Sequence, residues 1–174
     1  MAALLDHVDP DGLLEFSVVF TDRSLNHMSA SFKQVMIDIS DMLKQVYCAD
    51  AVAIVPGGGT FGMEAVARQF GRDSKVLVVR NGWFSYRWSQ IFEAGGFTAE
   101  THVIKARQSD NGPQAAFSPA PIDAVVAQIR AEKPDVVFAP HVETSAGVIL
   151  PDAYITALAA AAHDVGALMV LDCI

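Results

Sequence analysis

Pro56-Gly57-Gly58-Gly59-Thr60-Phe61-Gly62-Met63-Glu64-Ala65 is the stretch that decides how this chain is read. It follows an apolar run, Ala51-Val52-Ala53-Ile54-Val55. It leads into a helical pattern in which Met63, Val66, Ala67 and Phe70 form a stripe that Gly71 stops. The pattern predicts a strand over 51–55, a glycine turn and a helix N-terminus. Glycine removes the Cβ that would block a close approach, and the helix dipole favours an anion at that end. The stretch reads as a phosphate cradle or as a plain tight turn. Gly57-x-Gly59-x-x-Gly62 also fits the dinucleotide fingerprint, which expects an acid at the end of the next strand. That strand ends in Arg80-Asn81. An arginine would suit a 2′-phosphate, so a nicotinamide dinucleotide remains an alternative.

Outward from the turn, strands and helices alternate. Upstream, Phe32, Val35, Met36, Ile39, Leu43 and Val46 recur in steps of three and four, as on an amphipathic helix. Residues 1–27 have no clear period and read as an extended arm. Downstream, Lys75-Val-Leu-Val-Val-Arg80 is a strand closed by the turn pair Asn81-Gly82. Residues 86–94 read as a helix, 100–105 as a strand and 107–120 as a surface loop. Pro121 suits the first position of a helix striped by Ile122, Val125, Val126 and Ile129. Residues 135–139 are a strand, Pro151 opens a helix capped by Gly166, and 167–171 are the last strand. This order predicts an α/β fold: three layers, with a mostly parallel sheet covered on both faces. Ligands of such sheets bind at the carboxyl ends of the strands. The glycine turn, residues 81–84, residues 141–147 and Asp172 all fall there.

Composition narrows the function classes. The 174 residues suit one domain with a sizeable core, 52% of them hydrophobic. A mean hydropathy of +0.31 fits strands buried on both faces or a surface meant for a partner. No apolar run reaches membrane-spanning length. The first twenty residues hold Asp6, Asp9, Asp11 and Glu15 without lysine or arginine, unlike a signal peptide. A net charge of −8 argues against nucleic acid. Cys48 and Cys173 suit neither a disulfide framework nor a zinc site, and read as buried thiols in a reducing, cytoplasmic setting.

Single residues keep two readings each. His141-Val142-Glu143 suggests a metal pair, but the partners a zinc deaminase would add are missing, so no metal site is expected. Thr144 and Ser145 cap a turn or hydrogen-bond a ligand oxygen. Trp83, Phe84 and Trp88 are core, or an aromatic at the mouth of a site. Asp172, directly after a buried strand, is a cap or a partner for a ligand cation.

Three motifs together carry a family resemblance: Gly57-Gly-Gly-Thr-Phe-Gly-Met-Glu-Ala65, Asn81-Gly-Trp-Phe-Ser-Tyr-Arg87, and His141-x-Glu-Thr-Ser-x-Gly147 with Leu171-Asp172. In order and spacing, from about Asn26 to Asp172, the chain resembles the N-terminal part of a class V, fold type I aminotransferase. The alanine/serine–glyoxylate and 2-aminoethylphosphonate–pyruvate transaminases are the nearest in pattern. The resemblance implies pyridoxal 5′-phosphate as cofactor and an arm at 1–27. It also implies that 28–174 form part of the large cofactor-binding domain. Gly58, Gly59 and Thr60 would hold the phosphate, Phe84 would stack on the pyridine ring, Thr144 would reach the ring hydroxyl region, and Asp172 would pair with the ring nitrogen. Gly58 departs from the usual serine, and Phe84 stands where relatives often carry Trp or Tyr. The implied activity is amino transfer between a small amino acid, such as alanine or serine, and a 2-oxo acid, such as glyoxylate or pyruvate. It would take place in a homodimer without nucleic acid or membrane. Lyase or desulfurase chemistry of the same fold and a non-catalytic fragment remain alternatives. The family's Schiff-base lysine would follow Asp172 by about two dozen residues, beyond Ile174. The last sheet strand and small domain would lie there too. This chain alone is therefore expected to be inactive, with residues 51–55 lacking their partner strand.

Overall fold

Strands β1 (Lys75–Arg80), β2 (Glu100–Lys105), β5 (Val136–Pro140) and β8 (Leu168–Asp172) form one parallel sheet in the order β2-β1-β5-β8. The computed structural model describes residues 30–174, and the arm expected at 1–27 lies outside the described residues. The chain divides into two units, Met1–Val55 and Pro56–Ile174.

In the first unit the expected amphipathic helix is present as α1 (Ala30–Tyr47), and none of its residues is buried. Residues 51–55, read above as a strand, form none. Ile54 and Val55 are more than two-fifths exposed. A strand exists only where a neighbour takes up its backbone N–H and C=O groups, and apolar composition alone does not supply one. No described strand pairs with these residues.

In the second unit the helices α2 (Gly59–Phe70), α3 (Trp83–Gly95), α4 (Ile122–Glu132) and α5 (Asp152–Asp164) flank the sheet. Successive residues of a strand face opposite ways, so each strand feeds two cores. Leu77, Val79, Val137 and Ala139 pack with Val125, Ile129, Leu158, Ala161 and Ala162 of α4 and α5. Val76, Val78, Val136 and Phe138 pack with Ala67 of α2 and Trp88, Ile91 and Phe92 of α3. Burial on both faces explains the unbroken apolar runs. Phe138 is fully buried, with its ring centroid 4.7 Å from Trp88 and 5.1 Å from Phe92.

Element boundaries depart from the sequence reading in explicable ways. Pro121 and Pro151 are N-caps, one residue before the first helical position. α5 ends in a C-cap at Val165, and Gly166 follows with φ of 79°. α3 begins at Trp83, three residues earlier than expected, because its first turn is capped from a distant strand. Two short antiparallel pairs escaped the reading: β3 (Arg107–Gln108) with β4 (Phe117–Ser118), and β6 (Val142–Glu143) with β7 (Val148–Ile149). Cys48 and Cys173 are exposed, not buried. Both follow the ends of elements, Cys48 at a left-handed φ of 48° after α1 and Cys173 directly after β8.

Candidate functional site

The carboxyl ends of β1, β5 and β8 bring the singled-out segments together. Gly58 is the N-cap of α2, at φ −79° and ψ 168°, with no side chain to cap the helix. The first-turn N–H groups of Gly59 and Thr60 therefore have no intrahelical acceptor. Gly57 before them adopts φ of 128°, and a Cβ there would lie 2.5 Å from the Phe61 ring. Both facts demand glycine. A Cβ at Gly58 or Gly59 would meet nothing within 4 Å, so the space over the turn is open.

Asp172 ends β8, the edge strand of the described sheet. It is aligned with Pro140, and its carbonyl accepts the His141 N–H at 2.8 Å. Gly59 and Asp172 line one cleft of about 230 Å³, together with Met63, Val66, Trp88 and Val170. The buried indole N–H of Trp88 has no acceptor among the described residues. Burial pushes the Asp172 carboxyl above its ordinary pKa and the charge of Glu143 pushes it further, while Arg87 pulls the other way. A carboxylate held in this state gains from a cation brought beside it.

Arg87, one turn into α3, ties the remaining pieces. Its Nη1 donates to Thr60 Oγ1 at 2.7 Å, and its guanidinium lies over the half-buried Phe84 ring, 5.7 Å from the centroid. Thr144 lies exposed in the turn between β6 and β7.

Glu143 organises the site, a role the sequence does not suggest, since there this acid reads only as a metal partner of His141. Its carboxylate is completely buried. Oε1 accepts from the Phe84 N–H at 3.1 Å and the Ser145 hydroxyl at 2.5 Å. Oε2 accepts from the Ser85 N–H at 2.9 Å and the Ser85 hydroxyl at 2.6 Å. Ser145 Oγ in turn accepts the Trp83 N–H at 2.7 Å. Three orphan amides of the α3 N-terminus are thus satisfied from residues 143–145, where the dipole favours an anion. Burial pushes the Glu143 carboxyl up, and the hydrogen bonds from Ser145, Ser85 and Phe84 more than offset it, leaving its pKa below the ordinary value. Gly82 permits this approach: a Cβ there would lie 2.5 Å from Ser145 Oγ and 2.7 Å from Glu143 Cδ. The legible signal was an acid two residues before Ser145, just after the buried strand at 136–140.

His141-Val142-Glu143 is no metal pair, since Glu143 is committed to α3. Among the described residues, three potential metal-ligand residues meet elsewhere, Glu100, His102 and Glu132, with ligand atoms within 4.8 Å. Glu100 and Lys75 open β2 and β1 at their amino ends, the opposite end from Asp172. The Lys75 ammonium stands 3.0 Å from Glu100 and already supplies a cation, and this hydrogen bond holds Glu100 below its ordinary pKa.

No protein-family model matches the chain. A 2-aminoethylphosphonate–pyruvate transaminase from Pseudomonas putida is 30% identical over 133 residues, 75% of this chain and 32% of that protein. A protein named soluble hydrogenase, small subunit, from Synechococcus is 31% identical over 127 residues, 72% of this chain and 31% of that protein. Among solved structures, the ureidoglycine–glyoxylate aminotransferase of Bacillus subtilis matches with a TM-score of 0.70 at 22% identity, covering 86% of this chain and 36% of that one. The chain thus spans about a third of the length of these proteins.

Proposed function

We propose that this chain, which has the fold of the pyridoxal-phosphate-dependent class V aminotransferases and resembles them in sequence over most of its length, is the part of a transaminase that cradles the cofactor. One observation carries the reading: the open N-terminus of α2 and the carboxylate of Asp172 line the same cleft. The first suits a phosphate, the second a ring cation. The residues fit the cofactor on further counts. The space over Gly58 and Gly59 is free, and Asp172 is left short of positive charge.

Gly58, Gly59 and Thr60 would hold the phosphate, with Arg87 behind Thr60 adding positive charge. Phe84 would cover the ring, Thr144 would serve the ring hydroxyl region, and Asp172 would keep the ring nitrogen protonated. Bound there, pyridoxal phosphate supplies an electron sink for bonds at the α-carbon of an amino acid. The chain's own residues bind and orient. Glu143 fixes the start of α3 against the 144–147 turn, so that Phe84, Arg87 and Thr144 keep their spacing. Asp172 holds a proton at the ring nitrogen through a charge-assisted hydrogen bond, which is stronger where water is excluded.

For the whole protein we propose amino transfer between a small amino acid and glyoxylate or pyruvate, in a cytoplasmic homodimer whose lysine lies beyond Ile174. No helix among the described residues is long and apolar enough to cross a membrane. The test is the intact mass of the natively expressed protein, before and after borohydride reduction with pyridoxal phosphate, beside a transamination assay with alanine and glyoxylate. A chain longer than 174 residues that gains one pyridoxyl group and transaminates supports the reading. The same longer chain gaining no pyridoxyl group would overturn it.

A further inference from the structure

A second cavity, of about 350 Å³, opens at the carboxyl ends of β1 and β2. It shares no lining residue with the cleft beside Asp172. Its volume falls within the range of small-molecule pockets. Arg80, Asn81, Trp83, Tyr86, Lys105 and Phe117 form its walls.

Three observations at this cavity point to a ligand. First, Arg80 and Lys105 are register partners across β1 and β2, so both side chains leave the sheet on one face. Neither pairs with a carboxylate among the described residues. The Arg80 guanidinium lies over the Tyr86 ring at 4.9 Å and makes only a long 3.5 Å approach to Ser89 Oγ, which leaves donors of its fork unused. Second, Trp83 and Phe117 present large aromatic surfaces, 58% and 46% exposed. Third, Asn81 is 2% exposed, and neither its amide oxygen nor its amide nitrogen has a partner among the described residues. A buried amide left with a free donor and a free acceptor is uncommon and costly.

We propose that this cavity binds a small aromatic carboxylate carrying one further hydrogen-bond donor, a ring hydroxyl or ring N–H. The carboxylate pairs with Arg80 and Lys105, whose charges stand side by side. The ring lies against Trp83 and Phe117. The ligand's donor reaches the Asn81 oxygen, and the Asn81 nitrogen donates back. The site is independent of the cofactor cleft, and its occupancy does not require pyridoxal phosphate.

Calorimetric titration of the full chain with 6-hydroxy-2-naphthoate tests this. Saturable one-site binding is expected. 2-Naphthoate, which lacks the hydroxyl, and 2-naphthamide, which lacks the charge, are each expected to bind at least about fivefold more weakly, the worth of one good polar contact. Lys105→Gln, at an exposed position that leaves the core intact, should weaken binding by a similar factor, and pyridoxine 5′-phosphate should not compete. Absence of saturable heat, wild-type affinity in Lys105→Gln, equal binding of the naphthamide, or competition by pyridoxine 5′-phosphate would each overturn the proposal.

Discussion

Replacing Glu143 strikes at the join between the sheet and the site. The carboxylate accepts four hydrogen bonds at 2.5–3.1 Å with no exposure to water. Glu143→Ala leaves the Phe84 and Ser85 N–H groups buried without acceptors, at about 1–3 kcal/mol each. It also opens a cavity and frees Ser145, so the expected loss is about 3–5 kcal/mol in all, a large part of the stability of a domain this size. Glu143→Gln keeps the volume and one acceptor oxygen but turns an NH2 group toward one pair of donors. Its expected cost is about 2–3 kcal/mol. Urea unfolding followed by circular dichroism at neutral pH measures both. The pH dependence adds a signature. The folded pKa of Glu143 is depressed, so its stabilisation is present above the ordinary carboxylate range and is lost as pH falls through the folded value. Wild type should lose stability toward low pH more steeply than Glu143→Gln. A loss below about 1 kcal/mol in both variants, a magnitude typical of exposed polar pairs, would refute the reasoning. So would parallel acid profiles of wild type and Glu143→Gln.

Three further outcomes follow from the geometry. Gly82→Ala drives a Cβ against Ser145 Oγ and Glu143 Cδ, and should destabilise by about 1–3 kcal/mol in the same urea assay. Asp172→Asn removes a carboxylate whose folded pKa is raised, and whose contribution is lost as pH rises through that value. The free protein should therefore melt no lower at neutral pH, while affinity for pyridoxine 5′-phosphate falls about tenfold or more by calorimetry, the loss of one charge-assisted bond. Phe138→Ala empties the aromatic cluster with Trp88 and Phe92; about 3–5 kcal/mol should be lost on urea unfolding.

The fold was legible where the signal is local. Lys75–Arg80 was placed to the residue, because a buried strand writes itself as a run of Val and Leu between turn residues, and the more exposed Glu100–Lys105 was placed to the residue as well. Residues 51–55 carry the same kind of run and form no strand, since pairing depends on a neighbour that composition does not reveal. The start of α3 was read too late for a related reason: the acceptor for its first amides sits 58 residues away, at Glu143. Among site residues, Gly59 and Asp172 were expected and share a cleft, and Thr60 and Phe84 are joined through Arg87. Arg87 itself stood in a quoted motif without a role, because an arginine at helical spacing looks like any solvated charge until its partner is known. The exposed sulfurs of Cys48 and Cys173 show the converse error, in which residue type was allowed to stand for position.

On the proposed reading, the turn before α2 and the end of β8 cradle one cofactor. The most direct test is a crystal structure of this chain with pyridoxine 5′-phosphate, which needs no lysine to bind. The phosphate should sit on the Gly59 and Thr60 amides, the ring against Phe84, and the ring nitrogen within hydrogen-bond distance of Asp172. A phosphate elsewhere on the surface, or a ring turned away from Asp172, would contradict it.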